Sequence, residues 1–215
     1  MKKIAVILSG CGFKDGSEIT EAISSLICLS QEGVEYQCFA PDMDFTSTNH
    51  ASGEAADTRN LLVESSRISR GDITNLNELD EKQFDGLLFP GGFGAALHLC
   101  DWAQKGSNCS VLPKIESTIK DFHGASKPIG AICISPVLLA KVLGPNGVTL
   151  TIGTDKETAQ EINKTGAEHE DCSVNEYISD RENKVLSTPA YMFDAKPNQV
   201  FSGISKMVRE LVEMA

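Results

Sequence analysis

Patterns that would stiffen or anchor a chain through covalent or metal links are missing from this sequence. Its seven cysteines, Cys11, Cys28, Cys38, Cys100, Cys109, Cys133 and Cys172, form no CxxC pair and no metal-ligand spacing, and their number is odd. Zinc ribbons and disulfide scaffolds are thereby excluded, no metal is expected, and reduced thiols in the cytoplasm are. Basic residues are scarce too, with 19 Lys and Arg against 30 Asp and Glu and a formal net charge of −11. Nucleic acid needs clustered cations to displace its counterions, so it is not an expected partner. No apolar run reaches the ~18 residues of a membrane span, so no membrane partner is expected. Leu8-Ser9-Gly10-Cys11 after Met1-Lys2-Lys3 spells a lipid-attachment box. The apolar run Ile4 to Leu8 is shorter than the ~7–15 residues of an export segment, so it reads as the start of the fold. Linkers, repeats and low-complexity tracts are absent, and residues 1–215 read as one domain. A chain of that length buries roughly 70% of its unfolded surface and needs no staples.

What is present is an alternation of apolar runs and amphipathic stretches. Lys3 to Leu8 is a short β-branched run that enters the Gly-rich turn Ser9-Gly10-Cys11-Gly12, as a buried parallel strand would. Ser17 is placed to cap a helix, with Ile19, Ala22, Ile23, Leu26 and Ile27 on the inward face and Gly33 as its stop. Val34 to Phe39 is the next strand, and Pro41 to Thr58, polar and aperiodic, reads as a long loop. A helix over 60–69 turns Leu61, Leu62, Ser65 and Ile68 inward. Phe84 to Phe89 is a strand stopped by Pro90-Gly91-Gly92, with a helix starting near Ala95. Then come a helix over 111–122, the strand Ile129 to Cys133, a helix over 136–143, a strand over 148–152 and a helix over 155–165. Strands near Tyr177-Ile178 and Val185 to Ser187 and a final helix over 197–214 complete the chain. Such alternation implies an α/β fold, a mainly parallel central sheet with helices on both faces. Ligands of such sheets bind beyond the carboxyl ends of the strands, which carry Ser9 to Gly12, Pro90 to Gly92 and Cys133.

Cys133 ends a strand, and Pro136 opens a helix just beyond it. Unpaired amides of a first helical turn favour an anion and can lower a thiol from about 8.5 into the range ~3.5–7.5, where the thiolate is a nucleophile. Ala131 and Ser135 are small enough for the tight turn of a nucleophile elbow. The four histidines, His50, His98, His123 and His169, fall in loops or on surface helices.

Ile132-Cys133-Ile134-Ser135-Pro136, with Phe89-Pro90-Gly91-Gly92-Phe93-Gly94-Ala95-Ala96 upstream, resembles the ThiJ/PfpI branch of the class I glutamine amidotransferase-like superfamily. Leu8 to Gly12, Asp15 to Ile19, Arg59-Asn60, Gly153-Thr154 and Thr188 to Met192 extend the resemblance along the chain, toward the ElbB-type, glyoxalase-like subgroup. The resemblance implies a flavodoxin-like sandwich, catalysis without a cofactor, and a homodimer. It places a carboxylic acid from the first helix against the cysteine, at Glu18, and assigns the oxyanion-binding amides to Gly92 and Ile134. Where triad-bearing relatives have a histidine, this chain has Thr151-Ile152-Gly153-Thr154, and its elbow departs from Gly-x-Cys-x-Gly at Ala131 and Ser135.

The function implied is conversion of small dicarbonyls such as glyoxal to glycolate through a Cys133 thiohemiacetal. A redox-sensing protein built on the same thiol is the alternative from another class. Gly10-Cys11-Gly12 also suggests dinucleotide binding, weakly, because Gly16 falls one place late for GxGxxG.

Overall fold

The computed structural model describes residues 1–215. In chain order the first elements are β1 (Lys3–Ile7), α1 (Ile19–Gln31), β2 (Glu35–Ala40), β3 (Asp44–Thr48), β4 (Ala55–Asn60), α2 (Leu61–Ile68), β5 (Ile73–Asn75) and β6 (Gly86–Phe89). They are followed by α3 (Trp102–Lys105), α4 (Pro113–Gly124), β7 (Ile129–Ile132), α5 (Pro136–Leu143), β8 (Thr149–Leu150), α6 (Lys156–Asn163), β9 (Glu168–His169), β10 (Ile178–Asp180), β11 (Val185–Thr188) and α7 (Pro197–Met214). A seven-stranded sheet in the order β10-β11-β7-β6-β1-β2-β5 forms the centre, parallel except where β10 runs against β11. The fold is the expected mixed α/β sandwich. From β1 the chain steps outward to β2 and β5, then returns to β6 on the other side of β1 and steps away through β7 and β11. Right-handed crossovers taken in opposite directions put α1 and α2 on one face and α4 and α5 on the other. The reversal lies between β1 and β6, where the strand ends diverge and leave a crevice.

β1, β6, β7 and β11 are buried along nearly their whole length, which is why they read as continuous apolar runs rather than alternating ones. Their side chains join one apolar cluster with α4, α5 and α7.

Four expectations are corrected. The stretch read as a loop holds the antiparallel hairpin β3–β4, whose second strand is almost wholly exposed, so no apolar alternation marks it. Residues 148–152 contribute only the two-residue β8, which pairs with β9 in a separate ribbon. The cap of α1 is Glu18, whose carboxylate accepts from Glu21 N, while Ser17 Oγ accepts from Ser9 N at 2.9 Å. The face of α1 is also different: Ala22 and Leu26 are buried as expected, but Ile19, Ile23 and Ile27 are 50%, 37% and 45% exposed. Glu21, Ser24, Ser25, Cys28 and Leu29 take the inward positions instead, on the side of α1 that packs against α7 and β2.

Candidate functional site

Cys133 follows β7 with φ at +61°, a left-handed conformation that costs a non-glycine residue energy and concentrates at working sites. The surroundings enforce it. Cys133 N donates to Thr188 O of β11 at 2.9 Å, and the buried Ser135 Oγ donates to Pro90 O at 2.7 Å, fastening the elbow to the end of β6. Pro136 opens α5 with its φ already helical.

Pro90-Gly91-Gly92 brings a second backbone against the sulfur. Any side chain at Gly91 would overlap Glu21 Oε2 and Cys133 Cβ, and Gly92, at φ +103°, leaves no room for one against Gly16 O and Glu18 N. These are close approaches that only glycine permits. The amides of Gly92 and Ile134 lie near enough to the Cys133 sulfur to favour its anion, and neither is engaged by another backbone carbonyl. Both residues expected to supply oxyanion donors therefore face the sulfur.

The carboxyl group beside that sulfur belongs to Glu21, not Glu18. Glu18 borders the same cleft, but its Oε2 accepts from Glu21 N at 2.7 Å and caps α1. Burial raises the Glu18 carboxyl, against the smaller opposing pull of the amides of the first helical turn. Glu21 is wholly buried one turn further on. Its Oε1 accepts from Tyr191 N at 3.1 Å, aimed by Ala190 in a left-handed conformation of φ +43°. Glu21 Oε2 is the one buried side-chain nitrogen or oxygen in the molecule without a hydrogen-bond partner, and Cys133 and the Gly91 backbone stand against this carboxyl.

Electrostatics follow from that burial. Loss of solvent, with the charge of Glu18 adding to it, pushes Glu21 up to about 8, so at neutral pH it is mostly a carboxylic acid. An acid has a proton to donate to sulfur, which explains the oxygen left without another partner. Burial also pushes the Cys133 thiol well above its ordinary value, Glu21 adds to the rise, and the Gly92 and Ile134 amides pull against it. The sequence expectation of a thiol lowered by a helix terminus is thus reversed, because desolvation outweighs the amides where no cation faces the sulfur. The two groups titrate as a pair, and one negative charge is the most this site holds until the pH is well above neutral.

Above the sulfur is a cleft of about 620 Å³ bordered by Phe13, Glu18, Phe93, Tyr191, Phe193 and Asp194 among others. None of the four histidines borders it. His50 Nε2 accepts from Lys14 N, His98 Nε2 meets Asp15 O, His169 Nε2 accepts from Ile152 N, and His123 closes the last turn of α4. The Gly-rich turn after β1 is no phosphate cradle, since the Gly10, Gly12 and Gly16 amides donate to Ser65 Oγ, Ser17 O and Gly12 O. No group of three or more His, Cys, Asp or Glu is arranged to hold a metal ion, and no helix is long and apolar enough to cross a membrane.

Sequence reasoning missed Glu21 and the aromatic rim. A signal for Glu21 existed: with Ser25, Cys28 and Leu29 it falls at helical spacing, and a carboxylate in such a stripe is unusual enough to mark a site.

Comparison with known proteins agrees with this arrangement. The family model described as the DJ-1/PfpI family matches residues 2–190. The ES1 protein homolog, mitochondrial, of Rattus norvegicus is 42% identical over 224 residues, covering 99% of this chain and 84% of that protein. The human protein named glutamine amidotransferase-like class 1 domain-containing protein 3, mitochondrial, is 43% identical, covering 99% of this chain and 83% of its own length. Among solved structures, an isoprenoid biosynthesis protein with an amidotransferase-like domain from Ehrlichia chaffeensis superposes with a TM-score of 0.92 at 35% identity, over 99% of this chain and 100% of that one. With a strained cysteine, a buried glutamate and two glycine-shaped approaches meeting where the sheet order reverses, this chain belongs to the DJ-1/PfpI family.

Proposed function

We propose that the protein is a cofactor-independent, glyoxalase-like enzyme that converts small dicarbonyls such as glyoxal to the hydroxy acid, glycolate. The observation that carries this reading is Glu21 Oε2, buried without a hydrogen-bond partner and set against a nucleophile-elbow cysteine. In the first step the Cys133 sulfur, as the thiolate of a pair whose single proton rests on Glu21, bonds to one aldehyde carbon and the carbonyl electron pair moves to oxygen. The new oxyanion lies between the Gly92 and Ile134 amides, which favour it over the flat carbonyl. Glu21 gives its proton to that oxyanion and, now a carboxylate, takes the hydrogen from the same carbon as a proton. The electron pair forms an enediolate, Glu21 returns the proton to the neighbouring carbon, and the hydroxyl proton passes from the first oxygen to the second. One carbon is oxidised to a thioester and its neighbour reduced to an alcohol, so no outside oxidant or reductant is needed. Water then cleaves the thioester, releasing glycolate and restoring the thiol. General acid/base groups contribute about 10²–10⁴ in rate, which is the share assigned to Glu21.

Reversible oxidation as the main role is the poorer fit. Oxidation of Cys133 gives the buried Glu21 acid no proton to carry between carbons, and Cys133 is only 7% exposed to an oxidant. A turnover assay with glyoxal and methylglyoxal on the wild type and Cys133→Ser decides between the readings. Turnover lost in the mutant supports the enzyme, and stoichiometric modification of Cys133 without turnover overturns it.

We also propose that two copies pair through the outward row of α1. Ile19, Ile23 and Ile27 are exposed on one side of α1, and Tyr36, 39% exposed, lines the same surface cleft as Ile23 and Ile27. A contiguous apolar patch of this kind marks an association surface. Ile23→Lys with Ile27→Lys should turn a dimer into a monomer in sedimentation, and a wild-type monomer removes the proposal. For the compartment we propose a reducing one, because all seven cysteines are unpaired. The names of the rat and human relatives place those proteins in mitochondria.

A further inference from the structure

The cleft above Cys133 is built for something larger than glyoxal. Its volume of about 620 Å³ falls in the ~300–1,000 Å³ range of pockets that enclose much larger organic ligands. A four-heavy-atom dicarbonyl would leave most of it filled with water. What borders that unused space is specific. Four aromatic rings, Phe13, Phe93, Tyr191 and Phe193, stand around it with two carboxylates, Glu18 and Asp194, and no lysine or arginine is among the bordering residues.

Each part of this lining bears on the charge of the ligand. Phe13 and Phe93 are 46% and 50% exposed, so two large apolar rings are held at the mouth where water would otherwise disfavour them. Asp194 is exposed and has no ion-pair partner; Glu18 is fixed by the first turn of α1, also without a cation. Aromatic faces attract organic cations through the ring quadrupole, and nearby carboxylates add to that attraction. Phe13 already shows this behaviour, with Lys14 Nζ 5.9 Å from its centroid and Lys14 itself outside the cleft lining. An anionic ligand meets the reverse, two like charges and no cation among the bordering residues. That disfavours keto acids and phosphate esters of carbonyl compounds.

We propose that the carbonyl compound processed at Cys133 carries an alkylammonium group, with its cationic end seated among the four rings and held by Glu18 and Asp194. This rests on the reading of Cys133 as a nucleophile toward carbonyls. It goes further by fixing the charge and class of the group attached to that carbonyl.

Charge selection at the cleft can be read without turnover. Three methanethiosulfonates, bearing a trimethylammonioethyl, a hydroxyethyl and a sulfonatoethyl group, are compared by the rate at which they modify the Cys133 peptide. Each rate is divided by that reagent's rate with a free thiol. The cation should react fastest and the anion slowest, with at least about tenfold between them at low salt. Asp194→Asn and Phe13→Leu should each narrow that span to half or less. Glu213→Gln, which removes an exposed acid near the end of α7, should leave it unchanged. Choline should protect Cys133 from the neutral reagent at concentrations about tenfold below its uncharged isostere, 3,3-dimethylbutanol. A flat order of rates, or a faster sulfonate, overturns the proposal. So does a span that shrinks as much in Glu213→Gln as in Asp194→Asn, which would trace it to net charge alone. Glyoxal turnover measured on the same samples stands or falls separately, so loss of charge selection and loss of the enzymatic reading are distinguishable.

Discussion

Two clefts open side by side in this molecule, sharing Phe93 and Ile134 as their common wall. The larger, about 930 Å³, is bordered by Lys105, Lys141 and Lys164 with Glu157 and Glu161. Its charges are largely satisfied: Lys105 pairs with Asp101, Lys164 with Glu161, Ser107 donates twice to Glu161, and Lys141 Nζ donates to Ser107 O. The smaller cleft has a cysteine with φ +61° and a buried acid with an oxygen left for sulfur. Size and charge count both favour the first cleft as a site, and chemistry favours the second. Strain and unsatisfied polar groups persist only where the surrounding structure compels them, so they are better markers of chemistry than volume.

The comparison breaks if chemistry depends on the larger cleft. Glu21→Gln keeps size and hydrogen bonding but removes the proton carrier, so glyoxal turnover should fall about a hundredfold or more while Cys133 still reacts with alkylating reagents. Cys133→Ser should abolish turnover. Lys141→Met, in the larger cleft, should change kcat/KM less than about twofold, within the range of a surface substitution. A large loss in Lys141→Met with full activity in Glu21→Gln would exchange the roles of the two clefts.

A second distinction is electrostatic. Glu21 ordinarily titrates near 4.5 and is pushed up to about 8 in the folded chain. Between those values the folded state holds a proton that the unfolded state has lost, so stability falls as pH rises. The contribution is complete below about 4.5 and gone above about 8, on the order of a few kcal/mol. In Glu21→Gln the loss of stability across that window should be smaller by this amount, as denaturant unfolding at several pH values would read. The same titration governs reactivity. Alkylation of Cys133 should accelerate as pH rises toward about 8, when the pair loses its first proton. Full reactivity already reached at pH 6 would mean that the thiolate forms without it.

Packing sharpens the comparison further. Gly91→Ala inserts a methyl group where Glu21 Oε2 and Cys133 Cβ already stand, and should cost ~1–3 kcal/mol of stability by overpacking along with most of the turnover. Gly147→Ala makes the contrast: Gly147, at φ +69°, has open space around it, and its cost should be backbone strain without loss of turnover.

Much of this arrangement is legible in the amino-acid sequence, for physical reasons. Strands buried on both faces must be continuously apolar, so β1, β6, β7 and β11 stand out, and Pro, Gly and Cys at their ends locate the site. The β3–β4 hairpin is not legible because exposure frees β4 from any apolar pattern and β3 turns only one apolar residue, Phe45, inward beside a serine, and β5, at three residues, is too short to carry one. Cys133, Gly92 and Ile134 are legible because an elbow and a close backbone approach each demand a residue type at a fixed place. The acid is not, because α1 presents two stripes. Ile19, Ile23 and Ile27 imitate a core face, while the true inward stripe is carried by glutamate, serine and cysteine. Glu18, at the head of that helix, is where the resemblance places the acid, one turn before the residue that reaches the sulfur.

Those two glutamates provide the finest test. Glu18 and Glu21 lie three residues apart, and the N–H of Glu21 donates to the carboxylate of Glu18. Glu18→Gln keeps an oxygen to accept that bond but removes the negative charge that complements the helix terminus, so about 0.5–1 kcal/mol of stability should go. Loss of the Glu18 charge also removes one of the influences raising Glu21, so the Glu21 pKa should fall somewhat from about 8. The alkylation profile of Cys133 should then move to lower pH in Glu18→Gln, while glyoxal kcat changes by no more than about threefold, because the proton carrier is intact. Turnover in Glu18→Gln that collapses as far as in Glu21→Gln, with the alkylation profile unmoved, would give the proton transfer to Glu18 and leave Glu21 a buried acid with a structural role alone.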